Sequence, residues 1–254
     1  MNKKGFLIGI VLILIACFQV KTIEAQDTGE ILRKMEDVMR GNSSYAEMSM
    51  KIVRPRYERD ITLQSWAIGN DYSLILITAP ARDRGTVFLM RENDIWNYDP
   101  RIDRTTRLPS SMMSQSWMGS DFTNDDLVRD SDVIEDYDHK LLRTEEFDGR
   151  NAYVLELIPK PDTPIVWGKV KMWVSTEDYL QLKIENYDQR FELVSTMILD
   201  EIREMDGRNV PTRITIQPVD KSNEKTVLKY LDLQFDIDID ESFFTRANMQ
   251  RVRQ

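Results

Sequence analysis

From Tyr45 onward the chain alternates between apolar and polar positions. Ala46, Met48, Met50 and Ile52 are separated by Glu47, Ser49 and Lys51, a period of two that gives a strand one dry face and one wet face. Similar runs recur at short spacing over 60–68, 72–79, 86–91 and 95–98, then over 152–158, 169–174, 180–187, 193–204, 213–217 and 226–239. Turn-forming triplets punctuate them at Gly69-Asn70-Asp71, Asp83-Arg84-Gly85, Asp148-Gly149-Arg150 and Asp206-Gly207-Arg208. Strands so numerous and so closely spaced predict one large antiparallel sheet, and a sheet that wide must curl. In the last run Val227, Leu231, Leu233, Phe235, Ile237 and Ile239 fall on one face with only Lys229 interrupting, against Asp232, Gln234, Asp236 and Asp238 on the other. The runs 73–77 and 87–90 are apolar on both faces instead, which predicts a cover or a cavity beside the sheet there.

Two stretches break the period of two. Ahead of the strands, Ile31, Leu32, Met35, Val38 and Met39 share one face of a helix that Asp27 and Glu30 open as a capping box and Gly41 stops. Between Leu108 and Glu146 the strand pattern lapses. Pro109–Gly119 is small and polar but carries Met112, Met113, Trp117 and Met118, and Phe122 and Thr123 then lead into a short helix over 124–130 with Thr123 as its cap. This stretch reads as a cover inserted into the sheet, and adaptable methionines suit a surface that fits flexible apolar ligands. The alternative is that these residues simply seal the core. No repeat, low-complexity run or linker divides the chain beyond residue 26.

The first 25 residues read as an export signal: Lys3 and Lys4, the apolar run Phe6–Phe18, then a polar stretch ending at Ala25. That run is shorter than the ~20 residues a permanent span needs. Leu14-Ile15-Ala16-Cys17 resembles a lipobox, so the alternative processing removes 1–16 and lipidates Cys17. The bulky Phe18 and the small Ala25 favour cleavage after residue 25. Either way the chain is expected in the periplasm, as a soluble protein or as a lipoprotein anchored through Cys17, with a single domain over 26–254.

Composition narrows the chemistry. The net charge is −9, which gives no general attraction to phosphate backbones, so no nucleic acid is expected as a partner. Cys17 and His139 are single, which rules out sites built from several thiolates or several imidazoles, and no metal or cofactor is expected. An enzymatic reading would begin from Asp121, Asp125, Asp126, Asp130, Asp132, Glu135 and Asp136 near His139, since paired carboxylates can serve as general acid and base. The plainer reading is a solvated face with helix-capping acids, because Asp125 and Asp126 fall where a helix dipole favours negative charge, and His139 beside Asp138 and Lys140 is an exposed residue. No P-loop, nucleophile elbow or HExxH is present. The chain is therefore not expected to be an enzyme.

The order of elements, a leading helix, a meandering sheet and a Met-rich insertion, resembles the outer-membrane lipoprotein-sorting, LolA-like family. Trp96-Asn97-Tyr98-Asp99-Pro100, Leu108-Pro109-Ser110-Ser111-Met112-Met113 and Trp117-Met118-Gly119-Ser120-Asp121-Phe122-Thr123-Asn124-Asp125-Asp126-Leu127 are similar to the signature block of one branch. Asp148-Gly149-Arg150 and Val210-Pro211-Thr212-Arg213 fall where that branch has similar turns, and the resemblance covers 27–251. It implies a mainly β fold with helices (α+β), a strongly curved antiparallel sheet forming an incomplete β-barrel covered by helices. It also implies a non-enzymatic carrier that shelters acyl chains of lipoproteins or lipids and hands them towards the outer membrane, with inner- or outer-membrane envelope proteins as partners. A lipid-binding accessory subunit of an envelope exporter is the first alternative and an acid-residue hydrolase the second. The expected cavity and cover residues are Met48, Met50, Ile52, Trp66, Leu74, Leu76, Phe88, Met90, Trp96, Met112, Met113, Trp117, Met118 and Phe122.

Overall fold

In the computed structural model the described residues are 27–252 apart from Asn93, 129–132, Asp162 and Pro164. The export signal, Cys17, Asp130 and Asp132 lie outside them. Asp27 caps the first helix, α1 (Thr28–Met39), its carboxylate accepting from the Gly29 N–H at 3.0 Å. Thirteen strands follow: β1 (Ser43–Arg54), β2 (Tyr57–Ile68), β3 (Tyr72–Ala79), β4 (Val87–Arg91), β5 (Asp94–Asp99), β6 (Arg104–Arg107), β7 (Tyr137–Phe147), β8 (Arg150–Pro159), β9 (Lys169–Ser175), β10 (Gln181–Tyr187), β11 (Leu193–Met205), β12 (Arg208–Pro218) and β13 (Lys225–Phe235). Two short helices complete the chain, α2 (Asn124–Leu127) between β6 and β7, and α3 (Arg246–Arg251) at the end.

All thirteen strands form one antiparallel sheet in the order β6-β5-β4-β3-β2-β1-β13-β12-β11-β10-β9-β8-β7. Every pair of adjacent strands is consecutive in sequence except β1 with β13. The two free edges, β6 and β7, are therefore consecutive in the chain, and the insertion between them, described over 108–128 and 133–136, lies beside the opening the sheet leaves. Twist accumulates across a sheet this wide, so it curls. The inner faces of its two halves meet in one core, where Met50, Ile61 and Met90 pack with Met197, Leu199 and Leu228. The result is an incomplete barrel. Helix α1 sits against its second half, burying Ile31, Leu32 and Met35 on Leu155, Leu157 and Met172. No helix among the described residues is long and apolar enough to cross a membrane.

Several expectations change. Strands β6 and β7 fall outside the predicted set: β6, Arg-Thr-Thr-Arg, carries no apolar residue, and β7 is an edge strand with polar positions on both faces and a bulge between Leu141 and Arg143. In β13 the register shifts between Glu47 and Met48 of β1, so Leu231 is an extra residue and the buried parity reverses across it. Thr226, Leu228, Leu233 and Phe235 face inward, whereas Leu231, placed by its period on the dry face, is 55% exposed. Helix α2 ends at Leu127, short of the predicted 130.

Helix α3 was not foreshadowed by the pattern. With Phe244 it covers the outer face of β3, β4 and β5, burying Leu74, Leu76, Val87, Leu89 and Tyr98. This cover explains why runs 73–77 and 87–90 are apolar on both faces.

Candidate functional site

The curled sheet, α1 and the described part of the insertion, which forms a cover over 108–128, line a cavity of about 370 Å³. Its walls come from both halves of the sheet: Met48, Met50 and Leu63 on one side, Ile184, Met197 and Leu228 on the other. The cover contributes Trp117, Phe122, Leu127 and Val128. The lining is not uniformly apolar, because Glu36, Arg40 and Ser44 stand near the end of α1 and the start of β1, and Gln181 and Asn186 on β10. A second chamber of about 640 Å³ lies outside the cover, bounded by Arg54, Ser114, Asp121, Ser195 and Glu224 among others. Phe122 and Trp167 belong to both linings, so these two side chains stand between the chambers.

The cover is tied internally. Trp117 N–H donates to Phe122 O at 2.8 Å, Asn124 N–H to Gln115 O at 2.9 Å and Asp125 N–H to Met113 O at 3.1 Å. Asn124 Nδ2 adds a bond to Met112 O at 2.8 Å. Two arginines hold its tip. Met118 and Gly119 both have positive φ, the conformation of a tight reversal, and their carbonyls accept from Arg59 Nη1 and Arg54 Nη2, each at 2.9 Å. Arg54 also pairs with Asp121 at 2.9 Å and Glu224 at 3.4 Å. Thr226 on β13 donates to Asp121 at 2.7 Å.

Three of the acidic cluster, Asp121, Asp125 and Asp126, are built into this cover rather than laid on a solvated face, whereas Glu135 is exposed. Asp121 and Asp125 are buried or nearly so. Asp126 completes a capping box with Thr123, accepting from its N–H at 2.7 Å, and also accepts from Trp167 Nε1 at 3.1 Å. Burial pushes the Asp126 carboxyl above the usual aspartate range, against the pull of those donors. The capping role expected for this pair holds, whereas the solvated face does not. His139 is half-buried rather than exposed, its ring lying against the first turn of α1 at Gly29. Among the described residues no group of three His, Cys, Asp or Glu side chains is placed to hold a metal.

Of the expected site residues, the structure brings Met48, Met50, Trp117 and Phe122 to the cavity wall. Ile52, Phe88, Met90 and Met113 are buried in the surrounding core without lining it, and Met112 and Met118 are partly buried at its edge. Trp66, Leu74, Leu76 and Trp96 are corrected. They lie on the outer face, in the cluster closed by Phe244 and Met249. The antiparallel register gives the reason: Leu74 pairs with Leu89 and with Trp66, whereas Ile75 pairs with Phe88. Directly paired residues share a face, so Phe88 and Leu74 cannot both face inward, and Ile75 is the residue at the cavity wall. Sequence reasoning also missed Ile184, Met197 and Tyr230, inward positions of strands that were predicted, and Trp167, a loop residue with no periodic signal.

This geometry has relatives. A family model whose description reads "uncharacterized protein" matches residues 69–251. The LolA superfamily protein from Nitrosomonas europaea is 30% identical, with a TM-score of 0.75 over 86% of this chain and 97% of that one. The chain belongs to the LolA superfamily. A domain from Vibrio parahaemolyticus named for outer membrane lipoprotein sorting is 26% identical, with a TM-score of 0.78 over 88% of this chain and 98% of that one. A DUF1329 family protein from Desulfovibrio piger is likewise 26% identical, with a TM-score of 0.80 over 87% of this chain and 97% of that one. No curated protein matches the chain in sequence. This LolA superfamily chain thus shares with these three structures a fold that covers 86–88% of it and 97–98% of them.

Proposed function

We propose that the protein is a non-enzymatic periplasmic carrier that shelters acyl chains of lipoproteins or lipids and passes them towards the outer membrane. The observation that carries this reading is the cavity between the two halves of the sheet, walled by Met48, Met50 and Met197 and roofed by Trp117 and Phe122. A rigid fold has little reason to leave such a space open, because interiors pack densely and voids cost contacts. Membership of the LolA superfamily supports the same role. Export through residues 1–25, or anchoring through Cys17, belongs to this proposal, as do envelope proteins as donor and acceptor.

The mechanism needs no covalent step and no cofactor. Each CH₂ of a tail withdrawn from water contributes about 0.8 kcal/mol, so a long chain gains on the order of 10 kcal/mol before ordering costs. Affinity of that size favours extraction but opposes release. Moving the cover opens the apolar wall to water, lowers the net affinity and lets cargo pass to an acceptor that binds it more tightly. The test is organic extraction and mass spectrometry of protein purified from its native envelope, with displacement of an environment-sensitive fluorescent fatty acid. Bound acyl lipid displaced by phospholipid or an acylated peptide is expected. A stoichiometry near zero for both would overturn the carrier reading.

A further inference from the structure

One polar group of a cavity-lining residue is left without a partner by the packing around it, and in this closed state it is shut off from water. Trp117 is fully buried, with its ring tilted against Phe88 at a centroid distance of 5.3 Å. Its indole Nε1 makes no hydrogen bond within the protein. Other indoles behave differently: Trp173 Nε1 donates to Glu145 at 2.6 Å and Trp167 Nε1 to Asp126 at 3.1 Å. Buried donors are nearly always paired, because an orphaned one loses the hydrogen bond that water gave it. A phenylalanine would supply the same apolar wall without that penalty, so the N–H of Trp117 calls for an acceptor that comes with the cargo.

Its position says what kind of acceptor. Trp117 lines the inner cavity and is bonded through its backbone to Phe122, one of the two residues between the chambers. In the outer chamber Ser195 is a second buried residue whose side-chain oxygen has no partner. A bare hydrocarbon offers nothing to either group. An acyl chain carries a carbonyl at the point where its tail joins its head.

We infer that the cargo is an acyl chain whose ester or amide carbonyl oxygen accepts a hydrogen bond from Trp117 Nε1, with the tail in the inner cavity and the head towards the outer chamber. This rests on the carrier reading and deepens it. The chemistry is common to a glycerolipid ester and to the N-acyl amide of a lipoprotein, and the experiment separates them.

Two ligand pairs isolate the carbonyl: 1-palmitoyl glycerol against 1-hexadecyl glycerol, and an N-palmitoyl dipeptide against its N-hexadecyl counterpart, the second pair compared at a pH where the secondary amine is uncharged. Each competes with a fluorescent alkyl probe. The natural protein is expected to prefer the carbonyl member of at least one pair by about tenfold, the weight of one buried hydrogen bond. The pair with the larger preference identifies the source. In Trp117→Phe that preference should fall to near unity, whatever change in affinity the two members of a pair share. A second measurement needs no variant: with ¹⁵N-labelled indoles, one indole resonance should move downfield on adding the carbonyl compound and stay in place with its hexadecyl partner. Equal binding within both pairs, a preference that survives Trp117→Phe, or an unmoved resonance would overturn the inference while leaving the carrier reading intact. If no member of either pair binds, the carrier reading fails and the inference fails with it.

Discussion

Asp126 lies inside the cover, and Arg54, at the end of β1, holds the cover's tip from outside. Burial raises the Asp126 carboxyl, so over a range above the ordinary aspartate value the folded chain holds a proton that the unfolded chain has released. Stability contributed by this group is then present below the ordinary value and is lost as pH rises through the raised one. Asp126→Asn cannot ionise. The difference in melting temperature, Asn variant minus natural protein, is therefore expected to increase as pH is raised across that window, and a difference that stays flat would exclude a raised carboxyl at this position. Arg54 is only 12% exposed and Asp121 4%. Arg54→Ala would strand the Asp121 charge and is expected to cost about 3–5 kcal/mol in denaturant unfolding. Arg54→Lys should recover only part of that loss, because an ammonium cannot reproduce the fork that reaches both Gly119 O and Asp121.

At the scale of elements, β13 and α3 separate what the sequence made legible from what it hid. Alternation through Ala46, Met48, Met50 and Ile52 gave β1 correctly, because nothing interrupts the pleat until its buried run ends. The same reasoning failed in β13, where one bulge residue exchanges the two faces without leaving a Gly or Pro to mark it. The corrected parity has a direct check. Leu231→Lys is expected to change stability by no more than about 0.5 kcal/mol, as for an ordinary surface position, whereas Leu228→Lys, which buries an unpaired charge, should prevent stable folding. The opposite ranking, with Leu228→Lys tolerated and Leu231→Lys unable to fold, would restore the unbroken alternation. Helix α3 was hidden for another reason: its six residues, Arg-Ala-Asn-Met-Gln-Arg, are too few and too polar to show a helical period. Its Met249 and the preceding Phe244 together seal the outer face. Phe244→Ala is expected to cost about 3–5 kcal/mol in stability while leaving acyl-chain affinity unchanged in the protein that remains folded. A matching loss of affinity would put Leu74, Leu76, Trp66 and Trp96 back at the binding site.

For the whole molecule, the strand order explains where movement can occur. Thirteen strands running outward from the β1–β13 pair leave one open seam, between β6 and β7, and the chain crosses that seam as the cover. The meander itself was readable from turn signals and period, but the seam was not, since its two edge strands lack a buried face and so carry little pattern. Because the cover's backbone is bonded to itself across Met113–Asp125, it is expected to move as one body about its outside attachments. Arg59 is the attachment best suited to a test. It is 32% exposed, pairs with Asp83 at 2.7 Å beyond β3 and donates to Met118 O at the cover's tip. With Arg59 about a third exposed and Asp83 13% exposed, the pair is part-buried and contributes about 1 kcal/mol or somewhat more, so Arg59→Ala should keep the melting temperature within a few degrees of the natural protein's. Any opening that lifts the tip must break the bond to Met118 O, and losing about 1 kcal/mol from the closed state shifts the closed-to-open ratio roughly fivefold. Stopped-flow transfer of a fluorescent fatty acid to acceptor vesicles should then accelerate by a similar factor, with a smaller change in equilibrium affinity. Unchanged transfer kinetics, alongside a nearly unchanged melting temperature, would mean that cargo leaves by a route that does not lift this tip.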